Sequence, residues 1–208
     1  LAGVGMVHVI VFAHVFDPRQ STGILLPLLI VGDALAIRKF GHHVNWSLVK
    51  RLFPAALAGV VVGWALMGQI DADTTSVVLG CIILGLTILQ SIRLWKPQWV
   101  TGNTSSRPWA SVAGTLAGFT TMIANAAGPV ISLYLLSLSI PKLEMVGTSS
   151  WFFLYLNLAK IPFSWHLGLI SVQSLLLNVM LAPAVWVGIE AGSSIVKLIP
   201  QNVFNVIV

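Results

Sequence analysis

Hydrophobic residues follow one another in long runs along this chain, and polar residues gather in short segments between them. The runs predict membrane-crossing helices at 21–40, 52–70, 75–94, 109–139, 146–165 and 172–190. A crossing needs about 20 apolar residues, so all of these runs fit one crossing except 109–139, which is too long. The apolar ends at 1–16 and 203–208 are expected to be two further, incomplete spans. The pattern therefore predicts an all-α, polytopic transmembrane bundle of about eight spans.

The long run 109–139 is interrupted by the sequence ANAAGP at 124–129. A backbone that leaves the helix inside hydrocarbon exposes N–H and C=O groups, which cost several kcal/mol each unless protein, water or ligand satisfies them. The break is therefore expected to line a cavity. Gly128 and Pro129 would open a second half-helix, with Pro in its first turn. The free N–H groups and positive dipole end of that half-helix suit a small anion.

Composition and charge support a membrane protein. Only 8% of the residues are charged, whereas soluble domains contain about 25%. The net charge of +5 does not indicate a nucleic-acid partner, because the cations gather in two loops: Arg38, Lys39, Lys50 and Arg51 in one, Arg93, Lys96 and Arg107 in the other. The positive-inside rule then predicts that these loops and both termini are cytoplasmic. The opposite loops would hold the remaining charges: Asp17, Arg19, Asp71, Asp73, Lys142, Glu144, Glu190 and Lys197.

The two halves of the chain share a spaced pattern of small residues. The pattern Pro54-x4-Gly59-x3-Gly63 recurs 129 residues later as Pro183-x4-Gly188-x3-Gly192. Three other sets recur in the same order: Gly23 and Asp33 with Gly147 and Asn157, Gly5 with Gly128, and Pro18 with Pro141. Chance recurrence is the alternative, because Gly and Pro are frequent in membrane helices.

The recurrence predicts two homologous four-span halves, at 1–95 and 109–208, joined by a basic cytoplasmic linker at 96–108. An even number of crossings per half makes the halves parallel, unless the broken segments are re-entrant and change the count. The site is expected between the halves, where AGVGM at 2–6 would face ANAAGP.

Two charged residues inside predicted spans need an explanation. Asp33 is the only acidic residue placed within a span, at a cost of ~2.5 kcal/mol or more. It is either a proton-coupling carboxylate or a structural partner of Arg38. Lys160 follows Asn157 by three residues, on the same helix face. Lys160 either holds an anion or extends along the helix to the membrane surface.

Hydroxyl groups stand at two predicted helix starts, Ser21 and Thr22 in the first half and Thr148 and Ser149 in the second. They are either N-caps or hydrogen-bond donors to an oxyanion. His8 and His14 are six residues apart, which is not the spacing that places two metal ligands on one helix face, so no metal site is expected. Nucleophile, metal and nucleotide motifs are absent from the sequence, so neither an enzyme nor a cofactor is expected.

Two segments carry a resemblance to a known family. FDPRQSTGILLPLLIVGDALAIR at 16–38 and GFTTMIANAAGPVISLYLLSLSIPKLEMVGTSSWFFLYLNLAKIPFSWHLGLIS at 118–171 resemble the sulfite exporter TauE/SafE family of bacterial membrane transporters. With the two Pro-x4-Gly-x3-Gly segments, the resemblance covers nearly the whole chain. The positions of the family's glycine-rich motifs are occupied here by the following residues: Gly3, Gly5, Ala126, Ala127, Gly128 and Pro129. These motifs are poorer in glycine than in many members.

The resemblance implies a multi-pass transporter in the bacterial inner membrane that moves sulfite, thiosulfate or an organosulfonate by alternating access. A passive small-anion channel is the alternative, and a membrane scaffold is a further one. The expected partners are a small anion and membrane lipid. Asp33 is the expected proton-coupling residue. The expected substrate-binding residues are Gly3, Gly5, Ser21, Thr22, Asn125, Ala126, Ala127, Gly128, Pro129, Thr148, Ser149, Asn157 and Lys160.

Overall fold

A computed structural model describes residues 18–95 and 106–207. Over these residues the chain forms eight α-helices and a short 3-10 helix, Gly41–His43, without any strand. The α-helices are α1 (Pro18–Phe40), α2 (Trp46–Met67), α3 (Ala72–Trp95), α4 (Arg107–Ala124), α5 (Ala127–Ser137), α6 (Lys142–His166), α7 (Val172–Leu198) and α8 (Gln201–Ile207). The predicted all-α architecture is confirmed.

Within residues 18–95 and 106–207, four segments are long and apolar enough to cross a membrane: Gln20–His43, Trp46–Met67, Asp73–Arg93 and Val172–Leu198. The helix α5 is also apolar but has 11 residues. Its length is therefore about 16 Å, well short of the ~30 Å of a hydrocarbon core. The fold agrees with a polytopic membrane protein, while the count of eight spans stays a prediction.

Helix starts follow from local polar residues. The Asn45 side chain caps α2 by accepting hydrogen bonds from the N–H groups of Ser47 and Leu48. Ser171 and Ser174 form a reciprocal capping box at the start of α7. Such caps satisfy N–H groups that have no partner inside the helix.

Asp71 precedes α3, and one of its carboxylate oxygens accepts a hydrogen bond of 2.9 Å from the Thr74 N–H. The hydrogen bonds from Thr74 lower the pKa of the Asp71 carboxyl below its ordinary value. The exposed Asp71 and Asp73 mark one end of the bundle, which we call the far end.

The opposite end, called here the basic end, is marked by residues 38–51. The helix α1 runs towards it and α6 runs away from it. A Cβ on Gly23 of α1 would meet Leu169, just beyond the end of α6. At the other end of α1, the Gly41 carbonyl accepts a hydrogen bond of 3.2 Å from Trp151 Nε1, near the start of α6. The two helices are therefore antiparallel.

The helix α2 starts at the basic end and runs parallel to α6. The rings of Trp46 and Trp151 lie 5.1 Å apart near the two helix starts. Those of Trp64 and Phe163 lie 5.6 Å apart near the two helix ends. The helix α1 thus packs against α6 and α7, and α6 packs against α1 and α2.

The structure corrects the predicted positions of two acidic residues. Glu144 was expected on the opposite side of the membrane from residues 38–51, but its Oε1 accepts a hydrogen bond of 2.8 Å from Asn45 Nδ2. Glu190 was expected there as well, but its carboxylate forms an ion pair of 2.6 Å with Lys39. Both carboxylates lie at the basic end.

Lys142 and Lys197 lie at the basic end too, because Lys142 Nζ donates to the Lys197 carbonyl at 3.3 Å. The two lysines offset the two carboxylates, so the net charge of the basic end stays as predicted, while the asymmetry in lysine and arginine between the two ends is larger. The lysines and arginines at the basic end include Arg38, Lys39, Lys50, Arg51, Arg93, Arg107, Lys142 and Lys197.

These corrections have one cause, the course of the chain from α4 to α6. A Cβ on Gly114 would meet Leu52, and one on Gly63 would meet Met122, so α4 runs parallel to α2 from the basic end. After α5 the chain is again at the basic end, where Pro141 and Asn45 line the same cavity. The segment 107–141 is therefore a helical hairpin. This geometry agrees with the re-entrant alternative and disagrees with a single broken crossing.

The hairpin is held by the contact between α2 and α4, the most extensive helix pair among the described residues. Glycines on both helices bring the two backbones together. A Cβ on Gly118 would overlap the Ala56 carbonyl, and one on Gly59 would overlap the Thr115 carbonyl. Close backbone contact through small residues is a common way for helices to associate in membranes.

Candidate functional site

The turn between α4 and α5 is a helix end that the sequence specifies. Asn125 adopts the left-handed conformation, with φ 50, which asparagine tolerates better than most residues. The N–H groups of Asn125 and Ala126 donate to the carbonyls of Thr121 and Thr120, at 3.0 and 3.3 Å. This is the usual way in which a left-handed residue closes a helix.

The helix α5 begins at Ala127, and its N-cap residue Ala126 provides no side-chain cap. The first N–H groups of a helix have no partner inside the helix. Pro129, the third residue of α5, has no N–H group at all. Ala126, Ala127 and Pro129 are buried, and Gly128 is partly exposed. The turn therefore presents the positive end of a helix dipole inside the protein.

Lys160 reaches this turn from α6 and is buried, with only 1% of its surface exposed. Its Nζ donates to the Thr121 carbonyl at 2.8 Å, to Thr121 Oγ1 at 3.2 Å and to Asn125 Oδ1 at 2.6 Å. The interpretation that Lys160 extends to the membrane surface is therefore wrong. Three oxygens and the negative end of the α4 dipole give the ammonium a better environment inside the protein.

Asn125 also ties the turn to the start of α1. Its Nδ2 donates to the Thr22 carbonyl at 2.9 Å. Ser21 and Thr22 are both buried there, with 1% and 4% of their surfaces exposed. The structure thus brings Thr22, Asn125 and Lys160 together at one place, with Ser21 next to Thr22 in the chain; their role in binding stays a prediction.

Asp33 and Asn157 meet where the middles of α1 and α6 cross. Asn157 Nδ2 donates to Asp33 Oδ2 at 2.8 Å, so Asp33 pairs with Asn157, whereas the sequence suggested Arg38, which is exposed. Lys160 lies one helical turn beyond Asn157 and interacts electrostatically with Asp33. The buried cation and the half-buried anion thus partly balance each other.

Two predicted site residues lie elsewhere. Thr148 is fully buried near the start of α6, where its Oγ1 accepts a hydrogen bond of 2.9 Å from the Asn45 N–H. Thr148 and Ser149 are about 18 Å from Lys160 along α6, at 1.5 Å per residue. They belong to the basic end and not to the α4–α5 turn, because α6 begins at the opposite end of the bundle. Gly3 and Gly5 lie outside the described residues.

Thr121 is a residue of this turn that was not predicted from the sequence. Its carbonyl and hydroxyl oxygens provide two of the three acceptors for Lys160. Its spacing of four residues before Asn125 could have indicated it, because the carbonyl at that distance before a helix-ending asparagine faces the same turn.

A cavity of about 730 Å³ opens at the basic end. Its lining residues come from the 3-10 helix, the loops before α2 and α6, and the first turns of α2, α6 and α8: His42, His43, Val44, Asn45, Trp46, Pro141, Lys142, Leu143, Glu144 and Gln201. The cavity holds none of the residues of the α4–α5 turn. The lining contains both polar and apolar side chains.

Comparisons with known proteins identify the family. Neither the curated proteins nor the solved structures give a match to the chain. The family model described as "Sulfite exporter TauE/SafE" matches residues 1–208. The chain therefore belongs to the TauE/SafE family, which is a family of transporters and not of enzymes.

Proposed function

We propose that this protein transports a small sulfur-containing anion, such as sulfite, thiosulfate or an organosulfonate, which binds at the turn between α4 and α5. The observation that carries the proposal is Lys160, a buried cation bound directly to this turn. A buried ammonium is costly unless it has partners. Such residues inside membrane proteins generally mark substrate or ion pathways.

The electrostatics of the turn favour an anion over a cation. The uncapped start of α5 and the Lys160 ammonium both contribute positive potential, and Asp33 offsets part of it. An oxyanion would accept hydrogen bonds from the first N–H groups of α5. Partial balance by Asp33 keeps the affinity modest, so that the anion is also released.

We further propose that the protein consists of two homologous halves of inverted orientation. The re-entrant hairpin 107–141 leaves an odd number of crossings in the predicted second half, which is what inversion requires. Reciprocal contacts support this. The equivalents Asp33 and Asn157 bond to each other. Gly23 of α1 lies against Leu169 after α6, while its equivalent, Gly147 of α6, lies against Phe40 at the end of α1. Antiparallel α1 and α6 place the relating axis in the membrane plane, as in many secondary transporters.

In this mechanism the halves rearrange around the bound anion and open the site first to one side and then to the other. The basic end faces the cytoplasm, in agreement with the positive-inside rule. Asp33 is the proton-coupling residue, because it lies on the α1–α6 interface and interacts with Lys160. A proton on Asp33 would remove the negative charge that offsets Lys160 and so raise the positive potential that the turn offers to the anion.

The test is flux into proteoliposomes that contain the protein. Sulfite, thiosulfate, a short organosulfonate, sulfate and chloride are compared with and without a proton gradient. Saturable uphill flux of a sulfur anion is expected, since a channel cannot concentrate its substrate. Chloride flux as fast as sulfite flux, and only downhill, would favour the channel.

The coupling residue is tested separately. Asp33→Asn should remove the effect of the proton gradient, whereas Asp73→Asn, at an exposed position of the far end, should keep it. Unchanged gradient dependence in Asp33→Asn would show that another group carries the proton.

A further inference from the structure

The surroundings of Lys160 Nζ have the composition of a cation site. Its three contacts are all oxygens: a backbone carbonyl, a hydroxyl and a side-chain amide. Two of them come from Thr121 in the last turn of α4, where the helix dipole is negative. Carbonyls at the ends of broken helices coordinate coupling cations in secondary transporters. Here the occupant of that position is part of the chain.

From this geometry we infer that the oxygens of Thr121 and Asn125 form a monovalent-cation site that the Lys160 ammonium fills permanently, so that transport needs no dissolved Na⁺ or K⁺. The part of this inference that concerns flux rests on the proposed function. The binding site itself is independent of the substrate.

The distances from Lys160 Nζ to the three oxygens are those of hydrogen bonds, and a charge that was only nearby would not require them. Contacts of 2.6–3.2 Å lie within or close to the range of N–H···O hydrogen bonds. Lysine has three N–H donors and no acceptor, and three oxygens receive them. The exposed surface of Lys160 is 1%, so no room remains for a second cation beside it.

The site is held in place by the surrounding helices. The left-handed backbone of Asn125 fixes its amide oxygen, and its Nδ2 bond to the Thr22 carbonyl fixes the amide plane. Asp33 supplies the nearby negative charge. Removing the lysine side chain beyond Cβ would therefore leave an oxygen-lined space with a counter-charge, which is the condition for binding a small cation from solution.

The experiment uses Lys160→Ala purified in detergent, with ethylammonium as the probe. Ethylammonium carries the three N–H donors that lysine supplies, and its two carbons fill part of the vacated space. Choline, which has the same charge without N–H groups, is the control ligand. Lys160→Met, which fills the space without donors, and Lys50→Ala, at an exposed lysine, are the control variants.

The inference predicts that ethylammonium raises the Tm of Lys160→Ala in a saturable manner, as mass action requires for a ligand that binds the folded state. Choline should not do so. The wild type, Lys160→Met and Lys50→Ala should show no such selective rise. If folded Lys160→Ala responds equally to ethylammonium and choline, or to neither, the inference is wrong. If the variant is recovered only when purified with ethylammonium, the inference is supported; no recovery even then overturns it.

The flux measurement tests the functional half. Wild-type flux should stay within about twofold when choline replaces all Na⁺ and K⁺, and ethylammonium should restore flux to Lys160→Ala. Dependence of the wild type on Na⁺ or K⁺ would overturn the inference. Absence of flux in the wild type would contradict the proposed function alone, because the Tm measurement judges the cation site without it.

Discussion

Asn125 offers a direct test of where the anion binds. In the wild type, Lys160 Nζ lies 2.6 Å from Asn125 Oδ1. Asn125→Asp keeps an oxygen at this position and introduces a residue that also tolerates the left-handed backbone. It loses the donor to the Thr22 carbonyl and adds one negative charge to the turn. The matched control is Asn125→Gly, which also suits φ 50 and also loses the Thr22 bond, but adds no charge.

The size of the effect follows from Coulomb's law. Two unit charges about 5 Å apart, at an effective dielectric constant of about 20, repel each other by about 3 kcal/mol. This corresponds to a rise of roughly 150-fold in the half-saturating anion concentration. The bond to Thr22 contributes about 1 kcal/mol to stability, so both variants should fold.

The assay is saturable flux in proteoliposomes, with Tm measured on the same preparations. Asn125→Asp should have a half-saturating concentration about 150-fold above that of Asn125→Gly. An exposed charge control, Asn202→Asp on α8, should resemble the wild type. If the two Asn125 variants differ by less than threefold while both are folded, the anion does not bind at this turn.

Three further predictions concern folding, each measured by Tm. Gly118→Val should abolish the folded protein or lower its Tm strongly, because the new Cβ overlaps the backbone of α2. The control Gly188→Val should be tolerated, because a Cβ there meets nothing among the described residues. Ser171→Ala removes a helix cap and should cost about 1 kcal/mol. Asp71→Asn should destabilise the protein slightly at neutral pH. The hydrogen bonds from Thr74 lower the pKa of Asp71 in the folded protein. Their stabilisation is therefore present above the pKa of the unfolded state and disappears as the pH falls through the pKa of the folded state.

The position of the helix break could be predicted from the sequence, but not the surroundings of Lys160. Gly128 and Pro129 are local signals, because they act through their own backbones. The direction of Lys160 depends on acceptors 35 and 39 residues away in the chain, at Asn125 and Thr121. A helix pattern identifies the face on which a lysine lies, but not whether a turn of another helix offers it three oxygens.

The side on which Glu144 lies was mispredicted for a related reason. Counting crossings assigns every later loop from the earlier ones, so a single hairpin reverses the assignment of all that follow. The segment 107–141 has enough apolar residues for either path. Its return to the basic end is decided by the backbone contact of α4 with α2, through glycines whose partners lie more than 50 residues away.

That backbone contact has a mechanical consequence. Helices that slide past each other do so by repacking side chains at their interface, and at Gly59, Gly63 and Gly118 there is no side chain to repack. The helices α2 and α4 therefore form one rigid frame. At the α4–α5 turn, α1 is joined to this frame by the bond from Asn125 to Thr22, and α6 is joined to it by the bonds of Lys160. The Asn125 amide, which bonds to both α1 and α6, therefore joins these two helices to the frame at the place where we propose that the anion binds.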